Sequence, residues 1–316
     1  MDIQNNQKAL LTIREVKKAV IGKDDCIIKV MTAILAGGHI LLEDIPGVGK
    51  TTMAMAFCRA MDLQQKRVQF TPDVLPADIT GFSMYQKEKG TFVYQPGAAM
   101  CNLLLADEIN RTSPKTQSAL LEVMEEGRVS VDGISRSVPE PFIVIATENP
   151  FGSAGTQMLP ESQVDRFMIC ISMGYPDIQS EIEIVKGNVS RNPLAEVQRV
   201  MNGGELLEMR KIVEKIFVHD ALYQYIGRLV QTTRNHEMIE LGLSPRGTIS
   251  IARMAKARAF LMGRTYVVPE DIADIFLDVS SHRIRLNAKA RVSHISAKTV
   301  LGQILAQTVR PTLRRK

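Results

Sequence analysis

The feature that most constrains the fold is a short apolar run that ends in acid and turns through glycine. Ile40-Leu41-Leu42 runs into Glu43-Asp44, passes Ile45-Pro46-Gly47-Val48-Gly49, and delivers Lys50-Thr51-Thr52 at the start of a helical pattern. A phosphate-binding loop requires this strand–loop–helix context. Two glycines leave the backbone bare, so successive N–H groups can close on phosphate oxygens. The following helix aims its positive end at the same anion. Lys50 can reach the outer phosphates as a point charge, and the Thr51 hydroxyl can ligate Mg²⁺. The general pattern begins with Gly where this chain has Asp44, but the Gly-x-Gly-Lys-Thr core is intact. Its chance occurrence in a chain of this length is on the order of one in a hundred. A glycine turn that ends a strand and binds nothing is the competing reading, so the remaining motifs decide.

Asn102-Leu103-Leu104-Leu105-Ala106-Asp107-Glu108 is a continuous apolar run closed by two carboxylates, as expected of a buried parallel strand. Open α/β sheets bind ligands at the carboxyl ends of their strands. Asp107 and Glu108 then fall beside the phosphate loop, Asp107 to help hold Mg²⁺ and Glu108 to orient or deprotonate a water. Residues 142–147 form a second apolar strand, followed by Glu148-Asn149-Pro150. The Asn149 amide can bond a phosphate oxygen or the attacking water, although Asn before Pro is also a turn residue. A short helix over 160–167 carries Asp165-Arg166 into a strand at 168–172. Ser244 caps a later helix with Pro245 in its first turn, which puts Arg246 at an N-terminus where a cation is disfavoured unless an anion lies near.

The 316 residues suffice for two domains, an α/β unit over 1–174 and a helical unit over 175–316. Helices are expected at 7–20 and 24–36, the second capped by Asp24. Further helices are expected at 177–187, 204–216, 219–234, 245–262, 269–281 and 296–308. Two insertions read as hairpins, one over about 78–100 and one over 127–140 around Asp132-Gly133. The first is either a mobile contact element or an edge hairpin. Hydrophobic residues make up 45% and charged residues 23%, an ordinary globular balance. No run of 18 apolar residues offers a membrane span, and residues 1–6 lack the pattern of a signal peptide, so a cytoplasmic protein is expected. The four cysteines lack metal-ligand spacing. The net charge of +5 draws heavily on residues after His282 (Arg283, Arg285, Lys289, Arg291, Lys298, Arg310 and Arg314-Arg315-Lys316). Without interleaved aromatics for base stacking, these read as a solvated basic tail rather than a nucleic-acid face.

The order of phosphate loop, Asp-Glu strand, Asn-ended strand, Arg-bearing helix and helical domain with a further Arg is similar to AAA+ ATPases. More narrowly, residues 42–51, 104–111, 146–150 and 161–167 resemble the MoxR family, in which the first Gly is likewise replaced by Asp. Glu148 stands where that family more often has Gln. The resemblance spans roughly residues 7–285. It implies an AAA+ P-loop NTPase core, a parallel five-stranded sheet with helices on both faces, and a C-terminal all-helical lid. It also implies Ile21-Gly22 near the adenine; Asp44, Pro46, Gly47, Val48, Gly49, Lys50, Thr51 and Thr52 around the phosphates of ATP; and Thr51 and Asp107 at Mg²⁺. Glu108 would activate water and Asn149 would be the first sensor. Arg166 would be an arginine finger reaching a neighbour's nucleotide, and Arg246 a second sensor acting within its own subunit. A finger in trans implies a homo-oligomeric ring, typically of six. Family members are chaperone-like, with protein clients that include von Willebrand factor A domain partners, and the two hairpins would meet the client. A nucleic-acid-associated motor or loader and a nucleotide-gated scaffold with slow turnover are the alternative functions. The single Asp and single Arg of the 132–136 hairpin speak against the first, and intact Glu108 and Arg166 against the second.

Overall fold

A computed structural model describes residues 3–43, 47–88, 90–149, 159–190 and 192–312. Five parallel strands form its centre: β1 (Ile40–Glu43), β2 (Gln65–Gln69), β3 (Leu103–Asp107), β4 (Ile143–Glu148) and β5 (Ile169–Ile171), in the order β2–β3–β4–β1–β5. β3 and β4 are buried on both faces, which is why they read as unbroken apolar runs. Alternation still sorts their side chains. Ile40, Leu42, Leu103, Leu105, Ile143, Ile145, Ile169 and Ile171 join one core with the helices α1 (Ile3–Ala19), α2 (Asp24–Leu35) and α3 (Lys50–Ala60). Leu41, Leu104, Ala106, Val144, Ala146 and Cys170 form the opposite core with α4 (Pro114–Glu126).

The C-terminal part follows the expected helices closely: α5 (Ile178–Ser190), α6 (Gly203–Glu214), α7 (Asp220–Arg234), α8 (Pro245–Leu261), α9 (Pro269–Ser280) and α10 (Ala297–Gln307). It adds short helices at Pro193–Glu196 and Ala288–Val292 and one antiparallel pair, Ile239–Leu241 with Arg285–Leu286. Three residues facing two carry too little periodicity to be seen in sequence. Both insertions are hairpins. Gly81–Gln86 pairs with Thr91–Pro96, and Arg128–Val131 pairs with Ile134–Ser137 through Asp132 and Gly133, which have φ of 52° and 74°. Positive φ at both central residues is what an Asp-Gly hairpin turn demands. Arg136 of the second hairpin stacks on Tyr94 of the first, 4.1 Å from the ring centre, so the two insertions are tied together.

Two expectations change. Lys23, not Asp24, is the residue before α2, and no side chain caps that helix; Asp24 sits in its first turn and pairs with Lys17. The residues after His282 are not all a solvated tail. Arg283 is 7% exposed and bound to Asp165, while Arg285 meets Glu161 and Glu240 and Lys289 meets Glu237. Among the described residues, no helix is long and apolar enough to cross a membrane.

Candidate functional site

The candidate site lies at the carboxyl ends of β1, β3 and β4. Gly47 and Gly49 have φ of 89° and 95°, a left-handed backbone that turns N–H groups inward at little cost only for glycine. Gly49 occupies the N-cap position of α3 and has no side chain with which to cap it, so the first-turn donors face the loop. Lys50, Thr51 and Thr52 open α3. Asp44 and Pro46, expected at the phosphates, lie outside the described residues.

Beside the loop is a slot of about 310 Å³ walled by Val20, Ile21, Val48, Pro176, Ile184 and Leu194, with Gly47, Gly49 and Thr52 at its floor. An apolar slot opening onto a phosphate-type loop matches a purine base joined to phosphates. Gly22 has φ of 71°, and a Cβ there would stand 2.1 Å from Ser180 Oγ, so glycine permits α5 to close over the slot. Lys23 Nζ donates to the Tyr175 carbonyl, 2.8 Å away, and holds the chain entering α5.

Asp107 ends β3 and Glu108 follows it, each with partners that the sequence did not announce. Asp107 is 6% exposed; Arg67 Nε donates to its Oδ2 at 2.7 Å and the Thr147 hydroxyl to its Oδ1 at 3.4 Å. Thr147 also accepts the Glu108 N–H at 2.8 Å, which secures the left-handed φ of 57° at Glu108. Glu108 Oε2 takes hydrogen bonds from Gln69 at 3.1 Å and Arg111 at 2.7 Å. Asn110 Nδ2 donates to the Asn149 carbonyl at 3.2 Å, which ties the Asn149 strand end to the same corner. Gln69, Arg111 and Thr147 thus orient the acids. Gln69↔Asp107 is an in-register pair across β2 and β3, a placement that only strand order reveals. The donor set of one hydroxyl and one carboxylate suits Mg²⁺, which takes few protein ligands and keeps water and phosphate oxygens for the rest. Among the described residues there is no group of three or more His, Cys, Asp or Glu that could hold a metal ion.

Arg166 and Arg246 come together, but away from this corner. Arg246 Nη2 donates to Glu125 Oε1, and Arg166 Nε lies 3.1 Å from Oε2 of the same carboxylate. Glu125 is in the last turn of α4, whose first turn follows Glu108; twelve residues of helix put about 18 Å between the two ends. The neighbouring Met124 carbonyl contacts His39 at the entry of β1, whereas the phosphate loop leaves its exit about 13 Å away. Within one chain Arg246 is thus held by Glu125, at the end of α4 away from the Glu108 corner. A wider cleft, about 1050 Å³ between α6, α8 and the entry ends of β1 and β4, lies on this far side too. It lacks a phosphate loop, so the smaller slot is the nucleotide candidate.

Comparison with known proteins agrees with this geometry. Residues 39–169 match the model of the ATPase family associated with various cellular activities, and residues 231–304 match the AAA lid domain. The YeaC protein of Bacillus subtilis is 41% identical over 302 residues, covering 96% of this chain and 94% of its own. The chaperone MoxR1 of Mycobacterium tuberculosis is 39% identical over 306 residues, covering 94% and 80%. A crystal structure of a Cytophaga hutchinsonii protein superposes with a TM-score of 0.91 at 38% identity, covering 98% and 96%. With the phosphate loop, the Asp107–Glu108 corner and the lid in place, the chain belongs to the MoxR family of AAA+ ATPases.

Proposed function

We propose that the chain works as an Mg²⁺-dependent ATPase in a homo-oligomeric ring, typically a hexamer, and spends each turnover on remodelling partner proteins. The observation that carries the ring is the separation of Arg166 from Glu108 within one chain. Arg166 and Arg246, 29% and 42% exposed at the side chain, project from the far end of the sheet, where a second copy can present its own phosphate loop. A heterologous contact of this kind closes into a ring when its rotation permits.

Within each site, the loop N–H groups, the α3 N-terminus and Lys50 hold the phosphates, and the slot holds the base. Mg²⁺, held by Thr51 and Asp107, would neutralise developing charge on the transferred phosphoryl group. Glu108, oriented by Gln69 and Arg111, takes the proton of the attacking water, and Asn149 fixes that water or a phosphate oxygen. Arg166 of the neighbour supplies transition-state charge, worth about 10³ to 10⁵ in rate. In this reading residues 1–174 are the nucleotide-binding domain and 175–316 the lid, whose Pro176, Ile184 and Leu194 complete the slot.

Protein clients follow from the chaperone relative and from the coupled hairpins, which expose Phe82, Met84, Tyr85, Phe92 and Ile134. Partners bearing von Willebrand factor A domains are the client class proposed, and the cytoplasm is the proposed compartment.

The test is steady-state ATPase of the wild type, Glu108→Gln and Arg166→Ala, with oligomer size recorded with and without ATP. Loss of turnover in both variants, with Glu108→Gln still assembling on ATP, is the expected result. Full activity of a monomeric Arg166→Ala would refute the ring.

A further inference from the structure

Two carboxylates meet under the phosphate loop. Glu43 and Glu148 are in-register neighbours at the ends of β1 and β4, on the sheet face shared by Leu41, Ala146 and Cys170. Adjacent strands run about 4.8 Å apart, so the two side chains leave the sheet side by side. Glu148 is 3% exposed, and its Oε1 has no hydrogen-bond partner. Its carboxyl receives the backbone N–H of Leu159, just ahead of the short helix that leads to Arg166. On the other side the Cys170 thiol donates to Glu43. Lys298 of α10 and Arg283 after α9 act on Cys170 rather than on Glu148. Toward β3, Asp107 and Glu108 are already taken up by Arg67 and Arg111.

We propose that Glu148 is a positioning residue that works as an uncharged carboxylic acid. Neutral, it lets the end of β1, which feeds the phosphate loop, lie in register with the end of β4, which presents Asn149. Ionised, it sets two negative charges on adjacent strand ends and drives loop and sensor apart. Burial and, second, the Glu43 charge hold the Glu148 carboxyl up at about 7, against the opposing Leu159 N–H. The pair itself stands on geometry, whereas its effect on turnover rests on the ATPase reading above.

Glu148→Gln keeps the shape and removes the charge, and two readouts separate the claims. The first is thermal unfolding from pH 5 to pH 8.5. The folded pKa lies above the unfolded value, so stability from this group is present at low pH, falls as pH rises toward 7, and is gone above it. Glu148→Gln should therefore melt above the wild type at pH 8, with the gap closing toward pH 5. The second is ATP binding, followed with a fluorescent ATP analogue, together with turnover. The ratio of variant to wild type should rise about tenfold between pH 6 and pH 8. Glu43→Gln, which removes the opposing charge, should flatten the same limb.

A melting gap that ignores pH would overturn the pair, whatever the ATPase does. A pH-dependent gap with parallel activity and binding profiles would overturn the positioning role. If neither protein bound ATP at any pH, the ATPase reading would fall and the positioning role with it, while the melting gap would still decide the pair.

Discussion

The guanidinium of Arg283 and the carboxylate of Asp165 form an ion pair at the seam between sheet and lid, Nε to Oδ1 2.8 Å. Arg283 is nine-tenths enclosed and spends its remaining donors on the carbonyls of Asp165, Phe167, Met168 and Val279 and on the Ser250 hydroxyl. Asp165 in turn accepts the hydroxyl of Ser244, the cap of α8, at 3.0 Å. One arginine thus binds the loop bearing Arg166 to both α8 and α9 of the lid. A buried charge-pair member cannot be removed without stranding its partner.

Arg283→Met should accordingly lower unfolding free energy by about 3–5 kcal/mol in urea titrations. Arg283→Lys should recover little of this, because an ammonium cannot reach acceptors spread around a planar fork. A loss below about 1 kcal/mol for Arg283→Met would show the seam to be held by apolar packing instead.

Thr147 is the hinge of the acidic corner, accepting from the Glu108 backbone and donating to Asp107. Thr147→Val preserves volume and branching but removes both bonds. Turnover should fall about 10- to 100-fold, the usual effect of losing a residue that orients a ligand or base. Binding of ATP should stay within a few-fold, since the phosphate loop is untouched. Equal losses in binding and turnover would mean that Thr147 shapes the loop rather than the acids.

The elements that read well in sequence were those whose signal is local. Ser244-Pro245 opens its helix as capping predicts, with Ser244 accepting from Gly247. Asp132-Gly133 makes its hairpin, and the runs ending in Asp107 and Glu148 are the central strands. What stayed hidden depends on which strand lies beside which. Gln69 is one polar residue among many until β2 pairs with β3, and Thr147 looks like the end of an apolar run. Arg283 was lost in a basic stretch, because charge counts say nothing of burial. The far-side position of Arg246 follows from how the lid packs on α4, and a cap-and-proline motif carries no information about that.

His39 links the same seam to pH. Its Nδ1 accepts the Val144 N–H at 3.0 Å, which leaves Nε2 to donate to the Met124 carbonyl at 3.0 Å. Desolvation, with smaller contributions from Arg210 and Arg253, pushes the imidazole down to about 4. A depressed histidine pKa means that the unfolded chain takes up a proton that the fold refuses, so stability is intact above about 6.5 and falls as pH drops toward 4. The shift corresponds to about 3 kcal/mol over that window. His39→Gln should flatten this acid limb in pH-dependent unfolding. In proton NMR, His39 of the wild type should keep a neutral imidazole at pH 5.5, and a midpoint near 6.5 would refute the buried-neutral assignment.

Whether Arg166 works across a subunit boundary can be decided by mixing two variants that are each inactive. A Glu108→Gln chain retains its arginine but has no base, and an Arg166→Ala chain retains its base but offers no arginine. If each site is built from one chain's Glu108 and the next chain's Arg166, an equimolar mixed ring contains intact sites wherever an Arg166→Ala chain is followed by a Glu108→Gln chain. Random assembly makes these about a quarter of all sites, so mixing should restore up to about a quarter of wild-type turnover in rings with one directional contact per pair. Restored activity requires subunit exchange, so the mixture is refolded or dissociated before ATP is added. If Arg166 acted on its own chain's nucleotide, no arrangement of the two variants would create an intact site, and the mixture would stay as inactive as its parts. Glu125, which holds both arginines, lies in the last turn of α4, at the opposite end of that helix from the Glu108 corner, and this placement favours recovery. Repeating the mixture with Arg246→Ala in place of Arg166→Ala asks the same of the second arginine. Recovery there would place both arginines held by Glu125 on the neighbour's ATP.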